Sequence, residues 1–476
     1  MAEEKVEGTT SKPGNLITIY LIAVALGLTT LGLVMLFSAG VAARHGPHGL
    51  LTKQIIWLGL SLLVGLYAAL MNIEWLKRRT WLIFGLCMLG LVLTLVPGIG
   101  VKVNGAQRWI GIGPLRIQPS EFAKIGLVLA LAFYFSSEQR KIKNFKNGFA
   151  FPSLLMGSTC CLILLQPDFG TSFLCGAVAA TMMFQAGTSL RWLFPVGGLA
   201  ILAFSLLVYF DPVRIRRVTS FLDVEANAND SSYQLWQGML AFGVGGYNGV
   251  GLGLGRQQMH FLPEAHTDFI FPVIGEELGL VCTLAIVICF LFMFLAVSWR
   301  LRRTPDLYQY LLAMGSLLFI TLQAIINMGV VTGCLPTKGM SLPFISYGGS
   351  SLLVNCAAVG ILINISRRRE PLAAMAAEPS VTDIENQGNY QALFRDDTAA
   401  PPPFIGLIVG TYDTQNASAA AVMRYFHVAP PPPDMEVEQV VPLALSATVR
   451  SFRRGEPPRR VTAPPPPPPA ATTETP

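Results

Sequence analysis

The chain has 476 residues, 52% of them apolar and only 13% charged, with a mean hydropathy of +0.52. Soluble globular domains carry about 25% charged residues, so an ordinary soluble enzyme and a wholly disordered chain are both excluded. The net charge of +6 hints at an acidic partner, but in a membrane protein the placement of cations matters more than their sum.

A helix needs about 20 mostly apolar residues to cross a bilayer. In chain order such runs fall near 15–38, 55–72, 80–99, 119–136, 149–166, 169–187, 193–211, 270–299, 307–332 and 344–366. The expected fold is therefore an all-α polytopic integral membrane protein with ten transmembrane helices. Tight joints are expected at Gln166-Pro167-Asp168, from Gly187 to Trp192, and at Leu342-Pro343, because proline and glycine end helices. Seven of the eight cysteines (Cys87, Cys160, Cys161, Cys175, Cys282, Cys289 and Cys356) lie in apolar runs, where Cys packs as a small hydrophobe. The first run is too long for a signal-peptide core and follows Glu3, Glu4 and Glu7, so it reads as a retained span.

Short connections and chain ends on one side hold sixteen cations: Lys5, Lys12, Lys77, Arg78, Arg79, Arg140, Lys141, Lys143, Lys146, Arg191, Arg300, Arg302, Arg303 and Arg367 to Arg369. The other side holds six: Arg44, Lys53, Lys102, Arg108, Arg116 and Lys338. Positive charge stays inside, which places both termini in the cytoplasm. Three regions result: a cytoplasmic segment 1–14, a membrane domain 15–369 with a large outward loop at about 211–269 between the seventh and eighth spans, and a tail 370–476. Proline runs at Pro401 to Pro403, Pro430 to Pro433 and Pro464 to Pro469 make the tail a disordered, solvated linker or a ligand for a proline-reading partner.

Ionisable residues within or capping spans are functional candidates, and here they gather on the outward side. Arg108 leads to Gln118-Pro119-Ser120-Glu121-Phe122-Ala123-Lys124, where Ser120 is placed to cap the fourth span. Glu121 and Lys124 share a helix face, either as a structural ion pair or as groove lining. Asp168 is explained as an N-cap. Arg214, Arg216 and Arg217 present guanidinium forks suited to a lipid phosphate or pyrophosphate, or equally to anionic headgroups. Gly249, Gly251, Gly253 and Gly255 read as a flexible turn. Glu264, His266, Asp268, Glu276 and Glu277 then follow within fourteen residues, where a desolvated carboxylate suits a general base. His266 and Asp268 are also conceivable metal ligands. The last outward connection holds Lys338, Ser346 and Ser350 in Gly- and Ser-rich backbone that is tolerated at membrane depth only where it is buried or lines a cavity.

These residues fall in runs that, taken together, resemble the SEDS family (shape, elongation, division and sporulation): NGAQRWI, QPSEFAK, QPDFGT, RRVTSF, LPEAHTDFIF, GEELG and PTKG followed by LPFISYGGSS, all within 15–369. LPEAHTDFIF with IGEELG resembles the division branch more than the elongation branch, and the sporulation branch stays open beside it. An acidic residue often stands eight positions before the HTD aspartate in the division branch; here His260 stands there.

The resemblance implies a peptidoglycan glycosyltransferase of the bacterial inner membrane, acting at the septum on lipid II (undecaprenyl-pyrophosphoryl disaccharide-pentapeptide). It implies Asp268 as the catalytic residue, with Lys338, Arg214, Arg216 and Arg217 functionally involved. A β-1,4 bond made from an α-linked pyrophosphate donor inverts the sugar carbon, which requires a base and a stabilised leaving group. Asp268 is the expected base, with the four cations, or a divalent ion such as Mg²⁺ or Mn²⁺, at the departing pyrophosphate. Arg108, Glu121, Lys124, Glu264, His266, Glu276, Glu277, Ser346 and Ser350 are expected to line the pocket. A class B penicillin-binding transpeptidase and other divisome proteins are the implied partners, with no nucleic acid. A lipid II flippase and a recruiting scaffold are the rival readings.

Overall fold

The computed structural model describes residues 13–41, 46–103, 106–112, 115–210, 212–228, 230, 232–256, 265–302 and 304–367. The side chains of Arg214 and Arg217, all of His260 and Glu264, and the expectations for residues 1–12 and the Pro-rich tail lie outside the described residues.

The first helices are α1 (Pro13–Val41), α2 (Gly46–Leu70), the short α3 (Ile73–Arg78) and α4 (Thr80–Leu95). Next come α5 (Pro119–Ser137), α6 (Phe151–Leu165), α7 (Phe169–Ala186) and α8 (Leu190–Tyr209). Two helices, α9 (Pro212–Leu222) and α10 (Tyr233–Gly245), stand in the segment expected to be a loop. The last three are α11 (Ile270–Leu301), α12 (Leu307–Val331) and α13 (Gly349–Arg367). A π-helical turn, Phe145–Ala150, runs into α6.

A helix stands at each of the ten expected positions. Eight are long and apolar enough to cross a membrane: α1, α2, α5, α6 with its π turn, α7, α11, α12 and α13. Of the other two, α4 is apolar but only 16 residues long, and α8 has 20 residues with Pro195 inside. The chain is a multi-pass, mostly helical membrane protein. Most of α12 and α13 is buried, whereas α1, α2 and α11 are largely exposed, so α12 and α13 form the centre. Exposed Leu63, Leu66, Leu86, Val281 and Phe292 lie on the outer helices, the arrangement lipid contact requires, because tails solvate apolar side chains as well as protein does.

The helix ends follow from local chemistry. Asp168 caps α7, accepting from Thr171 N at 3.3 Å and Thr171 Oγ1 at 2.9 Å, as expected. Gly187 closes α7 in the left-handed conformation that glycine tolerates. Asp306 caps α12 through Tyr308 N at 3.0 Å. The expected cap of α5 is corrected: Gln118 holds the N-cap position with Pro119 first in the helix, and Ser120 Oγ accepts from Gln118 Nε2 at 3.0 Å. The last span also begins later than its apolar run suggests. Residues 344–348 form a turn in which Ser346 Oγ accepts from Leu342 N at 2.7 Å.

Two connections carry more structure than expected. Between α4 and α5 lies an antiparallel sheet of β1 (Gly100–Val103), β2 (Ala106–Ile112) and β3 (Leu115–Ile117), with Val101 opposite Trp109 and Ile110 opposite Ile117. Between α8 and α11, α10 packs against α11, and the glycine segment after it is a docked element and not a flexible turn. Val250 N donates to Glu276 O at 2.9 Å, Gly251 N to Glu277 O at 3.0 Å, and Leu280 N to Gly246 O at 2.9 Å. These bonds replace helical ones where α11 breaks at Gly279, whose φ is 76°. The backbone groups freed by the break therefore stay paired, as groups away from water must.

Candidate active site

Asp268 lies in the turn that leads into α11, half-buried beside the segment 338–341. The closeness of the two segments is explicit at Gly339. A Cβ built there would stand 2.5 Å from Asp268 Oδ2, so any larger residue requires the carboxylate or the loop to shift. Buried Asn327 on α12 ties the two backbones together: its Nδ2 donates to Asp268 O at 2.9 Å and to Met340 O at 2.5 Å. Lys338, one residue before Gly339, lays its ammonium over the Phe169 ring, 4.9 Å from the centroid. Its stem crosses Gly170, where an added Cβ would meet Lys338 Cε at 2.6 Å. The Asp268 turn, the lysine-bearing loop and the start of α7 thus meet at one end of α12.

A buried polar chain supports this meeting point from below. Lys124 Nζ pairs with Glu121 Oε2 at 2.7 Å and donates to Gln323 Oε1 at 2.7 Å. Gln323 Nε2 donates to Ser341 O at 2.9 Å and Ser341 Oγ at 3.3 Å. Ser341 Oγ donates in turn to Ser351 Oγ at 3.2 Å, which also accepts from Asn355 Nδ2 at 3.3 Å. The chain links α5, α12, the loop and α13. Glu121 and Lys124 are 6% and 3% exposed, so they form the ion pair their spacing allows, buried within the bundle and committed to Gln323.

The loop before α13 is fixed on its other side as well. Tyr347 N donates to His266 O at 3.0 Å, and the His266 and Tyr347 rings stand 5.9 Å apart. Burial raises the Tyr347 phenol pKa above its ordinary value, opposed in part by the Arg116 guanidinium. Phe344 is buried with φ at 68°, a conformation that costs a non-glycine residue about 1–3 kcal/mol and persists where surrounding structure enforces it. Ser350 Oγ accepts from Gln118 N at 3.1 Å, so both serines expected at the pocket act here as loop ties.

The remaining expected residues go elsewhere. Arg108 donates from Nε to Gln166 O at 3.0 Å and from Nη2 to Pro167 O at 2.5 Å, pinning β2 to the joint between α6 and α7. Glu277 accepts from Ser38 Oγ on α1 at 2.7 and 2.8 Å. Glu276 Oε1 accepts from Arg256 N at 2.7 Å. Both carboxylates are buried, at 0% and 1% exposure, and join α11 to α1 and to the glycine segment instead of rimming an open pocket. Arg216 is exposed and pairs with Asp230. The α9 backbone carries Arg214 and Arg217. Among the described residues no three His, Cys, Asp or Glu side chains gather in a way that would hold a metal ion.

Sequence reading missed Asn327 and Gln323. Their signal is a pair of amide residues four apart on one face of an otherwise apolar span, and a polar group inside a bundle is there for a partner.

The relatives include a probable peptidoglycan glycosyltransferase FtsW of Allochromatium vinosum, 43% identical over 359 residues, which are 72% of this chain and 88% of that protein. Stage V sporulation protein E of Bacillus subtilis is 38% identical over 358 residues, 73% of this chain and 96% of its own. Among solved structures, a chain of a peptidoglycan synthase complex, solved for the structural coordination of polymerization and crosslinking, matches with a TM-score of 0.62. It is 28% identical and covers 73% of this chain and 96% of its own. The rod shape determining protein RodA of Thermus thermophilus matches at 0.55, also 28% identical, covering 73% and 95%. The family model described as cell cycle protein, for FtsW, RodA and SpoVE, matches residues 18–371, and the chain belongs to that family.

Proposed function

We propose that this protein is a peptidoglycan glycosyltransferase that polymerises lipid II into β-1,4 glycan strands at the outer face of the bacterial cytoplasmic membrane. The observation that carries this reading is the meeting of the Asp268 carboxylate with the Lys338 loop across Gly339. Family membership and the relatives' names support the same activity.

The reaction needs two groups from the protein. Asp268 takes the proton from the acceptor sugar's 4-hydroxyl as that oxygen attacks the anomeric carbon. A positioned general base is typically worth roughly 10²–10⁴-fold. The bond to undecaprenyl pyrophosphate breaks on the opposite face, and a cation stabilises the charge that develops there. Lys338 is that cation, because its stem is held against Gly170 and Phe169 and it stands one residue before Gly339, which meets the Asp268 carboxylate. Arg214, Arg216 and Arg217 on α9 serve the polyprenyl pyrophosphate on its way in or out. Inversion follows from direct displacement without a covalent enzyme intermediate.

In this reading ten spans place both termini in the cytoplasm and the Asp268 site outside, with the protein at the division septum beside a class B penicillin-binding transpeptidase. The polymerization and crosslinking complex among the structural neighbours supports such a partner. Purified protein given lipid II, with and without the transpeptidase, tests the proposal: glycan strands with β linkages are expected. Translocation of lipid II across vesicles without strand formation would select a flippase. Neither strands nor translocation from folded protein with its partner would select a scaffold.

A further inference from the structure

We infer that Asn327 is the positioning residue of the active site: it sets the place of the Asp268 carboxylate relative to the Lys338 loop through two backbone carbonyls. This rests on the proposed role of Asp268 and adds to it a residue whose side chain touches neither substrate nor reacting atoms.

The argument begins with α12. Gln323 and Asn327 are four residues apart on one helix face, and both are almost wholly buried, at 2% and 1% exposure. Each side-chain amide reaches the same extended segment. Gln323 takes Ser341 O, and Asn327 takes Met340 O. Only Asn327 also reaches the other side, where its second N–H holds Asp268 O. Both amide hydrogens are therefore spent on carbonyls from two different loops. One is in the turn that carries the carboxylate, and the other is two residues after Lys338.

The orientation of this amide is fixed by chemistry. Rotating it by half a turn would put Oδ1 against two carbonyl oxygens, each an acceptor. In the orientation found, Oδ1 is buried with no hydrogen-bond partner. A buried orphan acceptor is unfavourable, so the amide is kept for its two donors. The carboxylate and the lysine-bearing loop are in direct contact, since Asp268 Oδ2 lies 2.5 Å from where a Cβ on Gly339 would be. Without the shared amide the two loops are free to separate, and a misplacement of about 1 Å is enough to cost roughly 10²-fold in rate.

The test compares wild type with Asn327→Ala and Asn327→Asp. The first removes both donors, and the second keeps the shape but replaces the donors with oxygen. Turnover and KM for lipid II are measured on protein normalised for its folded fraction, at a temperature below both variants' unfolding. The inference predicts that kcat falls by roughly 10–100-fold in both, with KM within about threefold of wild type. Turnover per folded molecule near the wild-type value overturns it. So does a loss in which KM rises while kcat is kept. If neither variant folds at any temperature, Asn327 is a structural core residue and the positioning role is likewise overturned. Asp268→Asn runs alongside: turnover in that variant signals failure of the base assignment, whereas turnover in the Asn327 variants with Asp268→Asn silent signals failure of this inference alone.

Discussion

The carboxylate of Asp268 rests against Gly339, so close that a single added methyl carbon would stand 2.5 Å from Oδ2. Real Cβ contacts do not come so near, and either the carboxylate or the loop must move. Gly339→Ala is therefore expected to lower polymerisation by roughly 10²-fold while leaving membrane insertion and thermal stability close to wild type. Glycan synthesis and thermal unfolding in the same detergent preparation check both halves. An alanine variant with undiminished synthesis would show that the carboxylate's place is not limiting.

Lys338 is held by its stem as well as its charge. Its ammonium stands 4.9 Å from the Phe169 ring centroid, and its Cε approaches Gly170 to a distance no Cβ would allow. Lys338→Ala removes the cation and is expected to cost about 10²–10³-fold in kcat, the usual scale for a group that stabilises developing charge. Gly170→Ala keeps the cation but displaces it, so a smaller loss in kcat is expected. Steady-state kinetics with lipid II give the ranking; equal activity of both variants with wild type would remove Lys338 from the reaction.

Glu121 and Lys124 form a buried pair at 2.7 Å. Removing one partner strands a charge inside the bundle, which costs about 3–5 kcal/mol. Glu121→Ala or Lys124→Ala should therefore unfold at distinctly lower temperature. The double variant Glu121→Gln with Lys124→Met should recover much of the loss, since a buried pair replaced by apolar or neutral groups is often near neutral. Thermal melts of the single and double variants decide it, and additive losses would contradict a closed ion pair.

Ser38 donates to the Glu277 carboxylate and ties α1 to α11. Ser38→Ala should lower stability by about 1.5–3 kcal/mol, the scale for a hydrogen bond to a charged group, with little change in turnover by the folded fraction. A large loss of turnover without a change in unfolding would instead place Glu277 in the chemistry.

The Tyr347 phenol has its pKa raised by burial, with Arg116 opposing. A folded pKa above the unfolded one favours the protonated folded state. The contribution is complete below the ordinary value of 10 and disappears as pH rises through the folded value. Tyr347→Phe should thus flatten the fall of stability in strongly alkaline buffer and leave the profile near neutrality unchanged. Unfolding measured across that range is the check.

The sequence made the spans legible because apolar runs in a bilayer leave few alternatives. Asp168 as a cap and Glu121 with Lys124 as a pair were equally readable, since both depend on residues three apart. The small sheet is not among the expected elements, although Asn104-Gly105 between Val103 and Ala106 is a strong hairpin signal, because its strands are only three to seven residues long. The glycine segment differs from the expected flexible turn because its order comes from backbone bonds to Glu276 and Glu277, twenty or more residues away, and no local pattern announces such a bond. Glu276 and Glu277 drew attention as charges, yet their partners Arg256 N and Ser38 lie on other elements. Asn327 was hidden for the opposite reason: it is uncharged and sits in an apolar run, so only the partners it reaches distinguish it.

The most direct test of the central claim is lipid II polymerisation by purified wild type and Asp268→Asn, each with the transpeptidase present and each confirmed as folded. Asp268→Asn keeps the shape of the side chain beside Gly339 and removes the proposed base. The account predicts glycan strands from the wild type and none above background from the variant. Strands of similar length and yield from Asp268→Asn would contradict it, and the base would have to be sought elsewhere in the protein.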